Sequence, residues 1–239
     1  MPDTCQVFET GSLELHSALL LQDKLARETA KGVRPGCLIL CEQPLTYVSS
    51  SEISESKAAE FHRQYNGQRF RVEIMENFHG SHVFGPGQLR GVLLIKAGEK
   101  NTAELSRKLE EMLILLLSKL GLAAGQIRGK PGVWLHANVA SRCPRCRPED
   151  RKKPAKIADV DIIIGADGIT RQGFTLNINP DMEMIETLGS RDPSEGPFVS
   201  LEEIFPDPPA IDLVKQSALN AFSECFNMKM IRQKFDFLD

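Results

Sequence analysis

Apolar positions along this 239-residue chain follow two rhythms, a helical period of about 3.6 and short runs or alternations of strand type. From Ser12 to Thr29, the residues Leu15, Ala18, Leu19, Gln22, Leu25 and Ala26 fall close to one stripe, which predicts a surface helix packed through that stripe. Gly32 to Gly36 interrupts it. Cys37-Leu38-Ile39-Leu40-Cys41 is then a short apolar run bounded by turn residues, which predicts a buried strand. The alternating segments near Arg69 to Ile74 and Gly91 to Ile95 are its expected neighbours.

The clearest helical pattern runs from Thr102 to Leu120, with Leu105, Leu109, Met112, Leu113, Leu116, Leu117 and Leu120 in one stripe. Asn101 followed by Glu104 predicts a reciprocal cap on the free amides of the first turn, and Gly121 suits the C-terminal cap. Strands are predicted over Gly132–Leu135 and Ala155–Ile164, separated by a polar insertion, with Gly165 to Gly168 turning the chain into Arg171–Ile178. Ser200-Leu201-Glu202-Glu203 is a second capping box. After Pro206 to Pro209, a last helix is predicted over Ile211–Phe226. Interleaved strands and helices predict the α+β class.

Composition narrows this little. At 41% apolar and 26% charged residues the chain is of globular type, and its longest apolar run is far below the roughly 18 to 20 residues that span a bilayer, so no membrane role is expected. A net charge of −3 and a pI near 6.0 lack the basic face of a nucleic-acid binder. The start, M-P-D-T-C-Q-V-F-E-T-G, has neither an apolar signal core nor an Arg-rich amphipathic pattern and reads as mature, soluble, intracellular protein. Six cysteines without a signal peptide predict a reducing compartment and free thiols in place of disulfides.

Three blocks carry a family likeness. Lys156 to Asp181 reads K-I-A-D-V-D-I-I-I-G-A-D-G-I-T-R-Q-G-F-T-L-N-I-N-P-D, Phe84 to Leu89 reads F-G-P-G-Q-L, and Pro131 to Trp134 reads P-G-V-W. In order and spacing they resemble the core, the H-G-P-G-Q-L and the T-G-V-W of the lipoyl(octanoyl) transferase family, over roughly Cys37 to Leu201. The resemblance implies a mixed β-sheet flanked by helices, of the lipoate/biotin protein ligase catalytic-domain type. One domain would cover residues 1–239, with a polar insertion at about 137–154 and a C-terminal helical extension at about 209–239. It also implies octanoyl transfer from acyl carrier protein to a lysine of a lipoyl domain, as in 2-oxoacid dehydrogenases or glycine cleavage proteins, through a cysteine thioester and with no cofactor or metal. Family members work in mitochondria in eukaryotes and in the cytoplasm in bacteria.

By the same resemblance the family lysine that keeps the cysteine a thiolate is Lys156. The nucleophile position, counted without gaps from Leu176–Asn179 and back from Val199–Leu201, is Arg191, flanked by Ser190 and Asp192. A guanidinium stays protonated and has no lone pair for acyl attack. The family's acyl-pocket motif R-G-G-x-x-T-x-H aligns with Asn77, Phe78, His79, Gly80, Ser81, His82, Val83 and Phe84, so its arginine, glycines, threonine and histidine are all changed. The remaining substrate-contacting positions would be Asp159, Val160, Asp161, Gly173, Phe174 and Thr175; Asp161 stands for a family glycine and Gln172 for a histidine, while Gly173 and Asn177 are retained. Two functions stay open: a divergent octanoyltransferase with an unidentified nucleophile, and an inactive homologue acting as a binding or assembly subunit for a lipoyl domain, carrier protein or other partner.

Other signals have plainer alternatives. Cys143-Pro144-Arg145-Cys146 is half a zinc site, a redox pair, a substitute thiol for the cleft, or two thiols in an exposed insertion. His79 and His82 are spaced to share a ligand but also suit an ordinary loop. The basic run Arg142 to Lys156 is a solvated loop or a steering surface for acidic carrier domains. Gly85-x-Gly87 lacks the lysine and serine of a phosphate loop, so an ATP-dependent ligase is the lesser alternative.

Overall fold

The computed structural model of the chain describes residues 3–49, 71–74, 81–188 and 196–234. Eight described strands form one mixed sheet in the order β11-β1-β2-β6-β10-β9-β8-β7. At its centre β2 (Gly36–Glu42) and β6 (Gln88–Leu94) pair antiparallel, followed outward by β10 (Thr170–Asn177), β9 (Ala155–Ile164), β8 (Lys130–Leu135) and β7 (Ala124–Ile127), all antiparallel. On the other side β1 (Asp3–Ser12) lies parallel to both β2 and β11 (Met228–Gln233). Helix α1 (Leu15–Ala30) makes the β1-to-β2 crossover that a parallel pair requires.

The β2 run is apolar throughout because both faces of the strand are covered. Successive side chains point to opposite faces. Leu38 and Leu40 join the main core with α2 (Thr102–Lys119), while Cys37 and Ile39 pack with Leu25 and Ala26 of α1. Short helices α3 (Ala137–Ala140), α4 (Met182–Leu188) and α5 (Leu201–Ile204) precede α6 (Ile211–Phe226), which packs with α2 through Phe222. No helix among the described residues is long and apolar enough to cross a membrane.

Where periodicity and caps coincide, prediction and structure agree closely. Helix α2 carries both halves of its capping box between Asn101 and Glu104, and Gly121, at φ +84°, lets the Leu122 N–H donate to the Leu117 carbonyl at 2.9 Å. Helix α6 covers the expected residues, and Ser200 and Glu203 cap α5 reciprocally.

Four expectations change. Arg71–Ile74 (β4) does not flank Cys37–Cys41, whose two edges are taken by β1 and β6; it pairs with β3 (Thr46–Ser49) in a second, three-stranded sheet completed by β5 (Ser81–Phe84). The C-terminal segment is helical only to Phe226. Asn227 then adopts the left-handed region at φ 52° and the chain returns as strand β11. Helix α1 begins at Leu15, because β1 runs through Ser12. Cys143 and Cys146 are neither free nor exposed: they form a disulfide with Cα atoms 5.5 Å apart, and both join the main core. The basic run around them is largely engaged in ion pairs, Arg145 with Glu186 and Glu203, and Arg147 and Lys153 with the buried Asp150.

The β9–β10 hairpin closes on a bidentate pair between Asp167 and Arg171, at 2.8 and 2.9 Å. Hydrogen bonding from Arg171 lowers the Asp167 carboxyl from its ordinary 3.8 to about 2. A carboxyl depressed by folding stabilises the fold above its unfolded pKa and loses that contribution as pH falls through the folded value. Asp167→Asn is therefore expected to cost about 1 kcal/mol at pH 7, after allowance for solvent screening. The difference in melting temperature from the unaltered chain should shrink between pH 3.8 and about 2; a difference that stays constant down to pH 2 would remove the pair from the account.

Candidate functional site

A register shift positions the cleft. Val133 pairs with Ala158 but Trp134 pairs with Lys156, so β9 carries one extra residue there. Such a bulge inverts the alternation beyond it. Lys156 and Asp159, three apart, therefore share a face and form an ion pair, where a regular strand would point them to opposite faces. Gly132 is what permits the close approach: at φ +94° its added Cβ would lie 2.4 Å from the Ala158 carbonyl oxygen and 2.7 Å from Lys156 Cε. The glycine of P-G-V-W is thus a packing requirement of the lysine beside it.

The Lys156 ammonium lies 5.7 Å from the ring centres of both Trp134 and Phe198, a geometry suited to cation–π attraction. Its backbone is tied to the segment that crosses β9, with Lys156 N–H donating to the Pro197 carbonyl at 2.8 Å and Val199 N–H to the Lys156 carbonyl at 2.9 Å. Lys156 is buried, while the Asp159 side chain is half exposed.

A cavity of about 450 Å³ opens beside this lysine, lined among others by His82, Val83, Phe84, Gln88, Asp159, Val160, Asp161, Thr175 and Asn177. Gln88 donates to Asn177 Oδ1 at 2.9 Å and Asn177 donates to the Val199 carbonyl at 3.2 Å, linking the G-P-G-Q turn to the Lys156 segment. The turn itself needs Gly87, at φ +83°, whose Cβ would meet the Asn179 carbonyl oxygen at 2.5 Å. A recess of only about 20 Å³ adjoins the cavity, bounded by His82, Phe84, Asp159, Asp161, Gly173, Thr175, Arg90 and Gln172.

Arg90 fills the space behind that recess. Its guanidinium donates to Gln43 Oε1 at 2.8 Å and to Gln172 Oε1, and lies 4.5 Å from the Phe84 ring centre. Burial pushes its pKa down, opposed by the neighbouring Cys41 and Asp161 side chains. Gln172 takes φ 63°, uncommon for a residue with a side chain, held there by the Arg90 bond and by Gln22, which accepts its N–H at 3.3 Å. Sequence reading passed over Arg90, although a lone arginine in Q-L-R-G-V-L-L is the kind of signal that marks a buried charge.

Of the positions singled out in the sequence, His82, Val83, Phe84, Lys156, Asp159, Val160, Asp161, Gly173, Phe174 and Thr175 thus converge on one cleft and its recess. The Val160 and Phe174 side chains belong to the core, the Phe174 ring lying tilted at 6.2 Å from that of Phe222. Ser81 begins β5. Asn77, Phe78, His79, Gly80 and Arg191 lie outside the described residues. No cysteine lines the cleft; Cys146 faces a different cavity, so the substitute-thiol idea is not met. No group of three or more His, Cys, Asp or Glu side chains that could hold a metal ion occurs among the described residues. A larger groove of about 980 Å³ behind the G-P-G turn shares only Ile185 with the Lys156 cavity; the latter is the candidate site because a buried lysine meets acids there, whereas the ionisable residues of the groove, Glu42, Asp181 and Glu202, are acids alone.

The lipoyl protein ligase A/B catalytic-domain model matches residues 14–223. An octanoyltransferase of Mycobacterium leprae is 27% identical over 192 residues, covering 79% of this chain and 73% of its own. One from Geobacter metallireducens is 26% identical over 218 residues, 90% of each chain. Among solved structures, that of a bipartite lipoate protein ligase from Thermoplasma acidophilum, described with its E2 lipoyl domain, superposes with a TM-score of 0.67 at 14% identity, covering 99% of this chain and 88% of that one. A family match over most of the chain, on a fold shared with a lipoate ligase, makes this protein a member of the lipoyl protein ligase A/B catalytic-domain family.

Proposed function

We propose that the chain acts in protein lipoylation without running thioester acyl transfer, as a non-catalytic family member that recognises a lysine-bearing lipoyl domain at the cleft around Lys156. The observation that carries this reading is the placement of all six cysteines. Cys143 and Cys146 are bonded to each other, and Cys5, Cys37, Cys41 and Cys225 stand away from the cleft. Burial pushes the Cys5 thiol up to about 12 and the Cys41 thiol up to about 11, and raises Cys37 and Cys225 as well. The thiolate is the nucleophile, so none of these sulfurs is poised to take an acyl group. By resemblance the family position for that cysteine is Arg191, a residue type with no lone pair for acyl attack.

The cleft is also chemically unlike an acyl tunnel. An octanoyl chain inserted at the recess would have to displace Phe84 or strip Arg90 of its partners, and an unpaired buried cation is costly. An ammonium fits better. The half-exposed Asp159 carboxylate, paired with Lys156 and standing beside Asp161, offers a landing point at which the acceptor lysine of a lipoyl domain would share or replace the Lys156 ion pair. The partner named with the Thermoplasma relative, an E2 lipoyl domain, supports that choice.

The test has two arms. Incubation with octanoylated acyl carrier protein should leave the intact mass unchanged, whereas a hydroxylamine-sensitive gain of one octanoyl group overturns the reading. Titration with an unmodified lipoyl domain should show binding by calorimetry, weakened at least about tenfold, or ~1.4 kcal/mol, by Asp159→Lys. Binding that ignores this charge reversal would move the partner surface elsewhere.

A further inference from the structure

We infer that Cys143–Cys146 is a thiol–disulfide modification site, attacked at Cys146 by a dithiol reductant, whose state sets how firmly the segment over Lys156 is held. Three independent features converge on it. The first is access. Cys143 is fully buried and Cys146 is 5% exposed, but a cavity of about 420 Å³ opens on Cys146, walled by Arg145, Arg147, Asp150, Glu186 and Pro197. The second is selectivity: Cys146 is the only sulfur that faces this cavity, whose two guanidinium groups are matched by the carboxylates of Asp150, Glu183 and Glu186, so an incoming thiolate meets Cys146 and not Cys143.

The third is what the small ring carries. Arg145 lies between the two cysteines, and its guanidinium reaches three separate parts of the fold. Nε donates to Glu203 Oε1 of α5 at 2.7 Å, one Nη to Glu186 Oε2 of α4 at 2.5 Å, and the other to the Phe198 carbonyl at 2.8 Å. Phe198 is the residue whose ring stands 5.7 Å from the Lys156 ammonium, and its neighbour Val199 bonds the Lys156 backbone. The C-P-R-C ring therefore fixes a side chain that ties α4, α5 and the Lys156 cover together, alongside the direct bond from the Phe198 N–H to Glu186. Opening the ring removes the covalent restraint on the Arg145 backbone, leaving the Arg151 bonds to the Pro144 and Cys146 carbonyls, and loosens all three ties.

The exchange balances without a further reactant. A thiolate of the dithiol attacks Cys146 Sγ, the Cys143–Cys146 bond breaks, and Cys143 leaves as a thiolate that takes a proton. The second thiol of the reductant attacks the mixed disulfide and releases Cys146, which is protonated in turn. Two electrons and two protons pass to the cysteines, and the dithiol becomes a disulfide.

The full chain, purified without reductant, tests this with dithiothreitol as the probe. Iodoacetamide under native conditions should label neither Cys143 nor Cys146 before reduction and both afterwards, as mapped by peptide mass. Amide hydrogen exchange over residues 196–204 should become at least tenfold faster in the reduced protein and return to its starting rate when oxidised dithiothreitol is supplied. Arg145→Ala should show the fast exchange in both redox states while still gaining two alkyl groups on reduction, a pattern that a purely structural disulfide would not produce. The inference is overturned if both thiols label without reductant, if one equivalent of zinc accompanies the chain, if dithiothreitol fails to free the pair, or if freeing it leaves exchange over 196–204 unchanged. None of these readouts depends on acyl transfer or lipoyl-domain binding, so the outcome stands apart from the reading of the cleft.

Discussion

Gly173→Ala is expected to destabilise the fold by about 3 kcal/mol, which for a chain of this size lowers the melting temperature by roughly 6–12 °C. Gly173 lies on β10 opposite Val92 of β6, and a Cβ added to it would stand 2.0 Å from the Gly91 carbonyl oxygen and 3.1 Å from the Gly91 carbonyl carbon. Those atoms are backbone. They can yield only if β6 and β10 separate, and this ladder sits in the middle of the sheet with β2 and β9 paired on its outer sides. The same tightness is seen from the other strand, since a Cβ on Gly91 would lie 2.1 Å from the Phe174 ring. Gly85→Ala is the control. Its Cβ would find only ordinary contact, with Leu45 at 3.5 Å, and should leave the melting temperature within about 2 °C of the unaltered chain. Calorimetric scans of the two variants decide the matter; equal losses would mean that space at Gly173 is not what limits the pairing.

Arg90→Ala is expected to cost about 3–5 kcal/mol, because it removes one partner from a buried, charge-bearing network. Arg90 is 4% exposed, and its guanidinium donates to Gln43 and Gln172 and covers Phe84. Its loss leaves the two glutamine oxygens without their donor, opens a void behind the recess, and removes the cation whose field Asp161 shares. Adding Asp161→Gly, which takes away that carboxylate, should restore about 1 kcal/mol or more, a non-additivity measurable by urea denaturation of the single and double variants. The enlarged recess of the double variant should also retain octanoate more tightly than the unaltered chain, whose recess is only about 20 Å³. A single-variant loss below about 1 kcal/mol would mean that the arginine is not integrated as its contacts indicate.

Residue pattern alone revealed the elements that carry their own signals. Helices α2 and α6 have a repeated apolar stripe, and α2 and α5 have caps that need no distant partner, so their limits could be placed from the chain itself. Strands β1 and β11 could not. Cys5, Val7 and Phe8 are buried only because β1 is inserted between β2 and β11, and strand preference depends on such neighbours more than on the residues. The alternation in Arg71–Ile74 was visible, but its partner was not, since pairing is chosen in three dimensions.

The cleft was legible to the same degree. Lys156, Asp159 and Asp161 were picked out by likeness to a family, yet their shared face arises from the bulge opposite Val133 and Trp134, which no local spacing announces. Arg90 was hidden for a different reason: inside an apolar strand it resembles an interruption until its glutamine partners, 47 and 82 residues away in sequence, are brought beside it. Thiol count and the lack of a leader pattern pointed away from a disulfide, and composition cannot register that a C-x-x-C turn is folded into the core.

Strand β1 is hydrogen-bonded to β11 along the sheet edge, and Arg232 reaches back across 223 positions to bind Glu9. During synthesis the first strand therefore leaves the ribosome long before the partner that will cover its outer edge. Its Cys5-to-Phe8 stretch must wait with an open outer edge while everything between them emerges, an exposure within reach of chaperones that capture nascent chains.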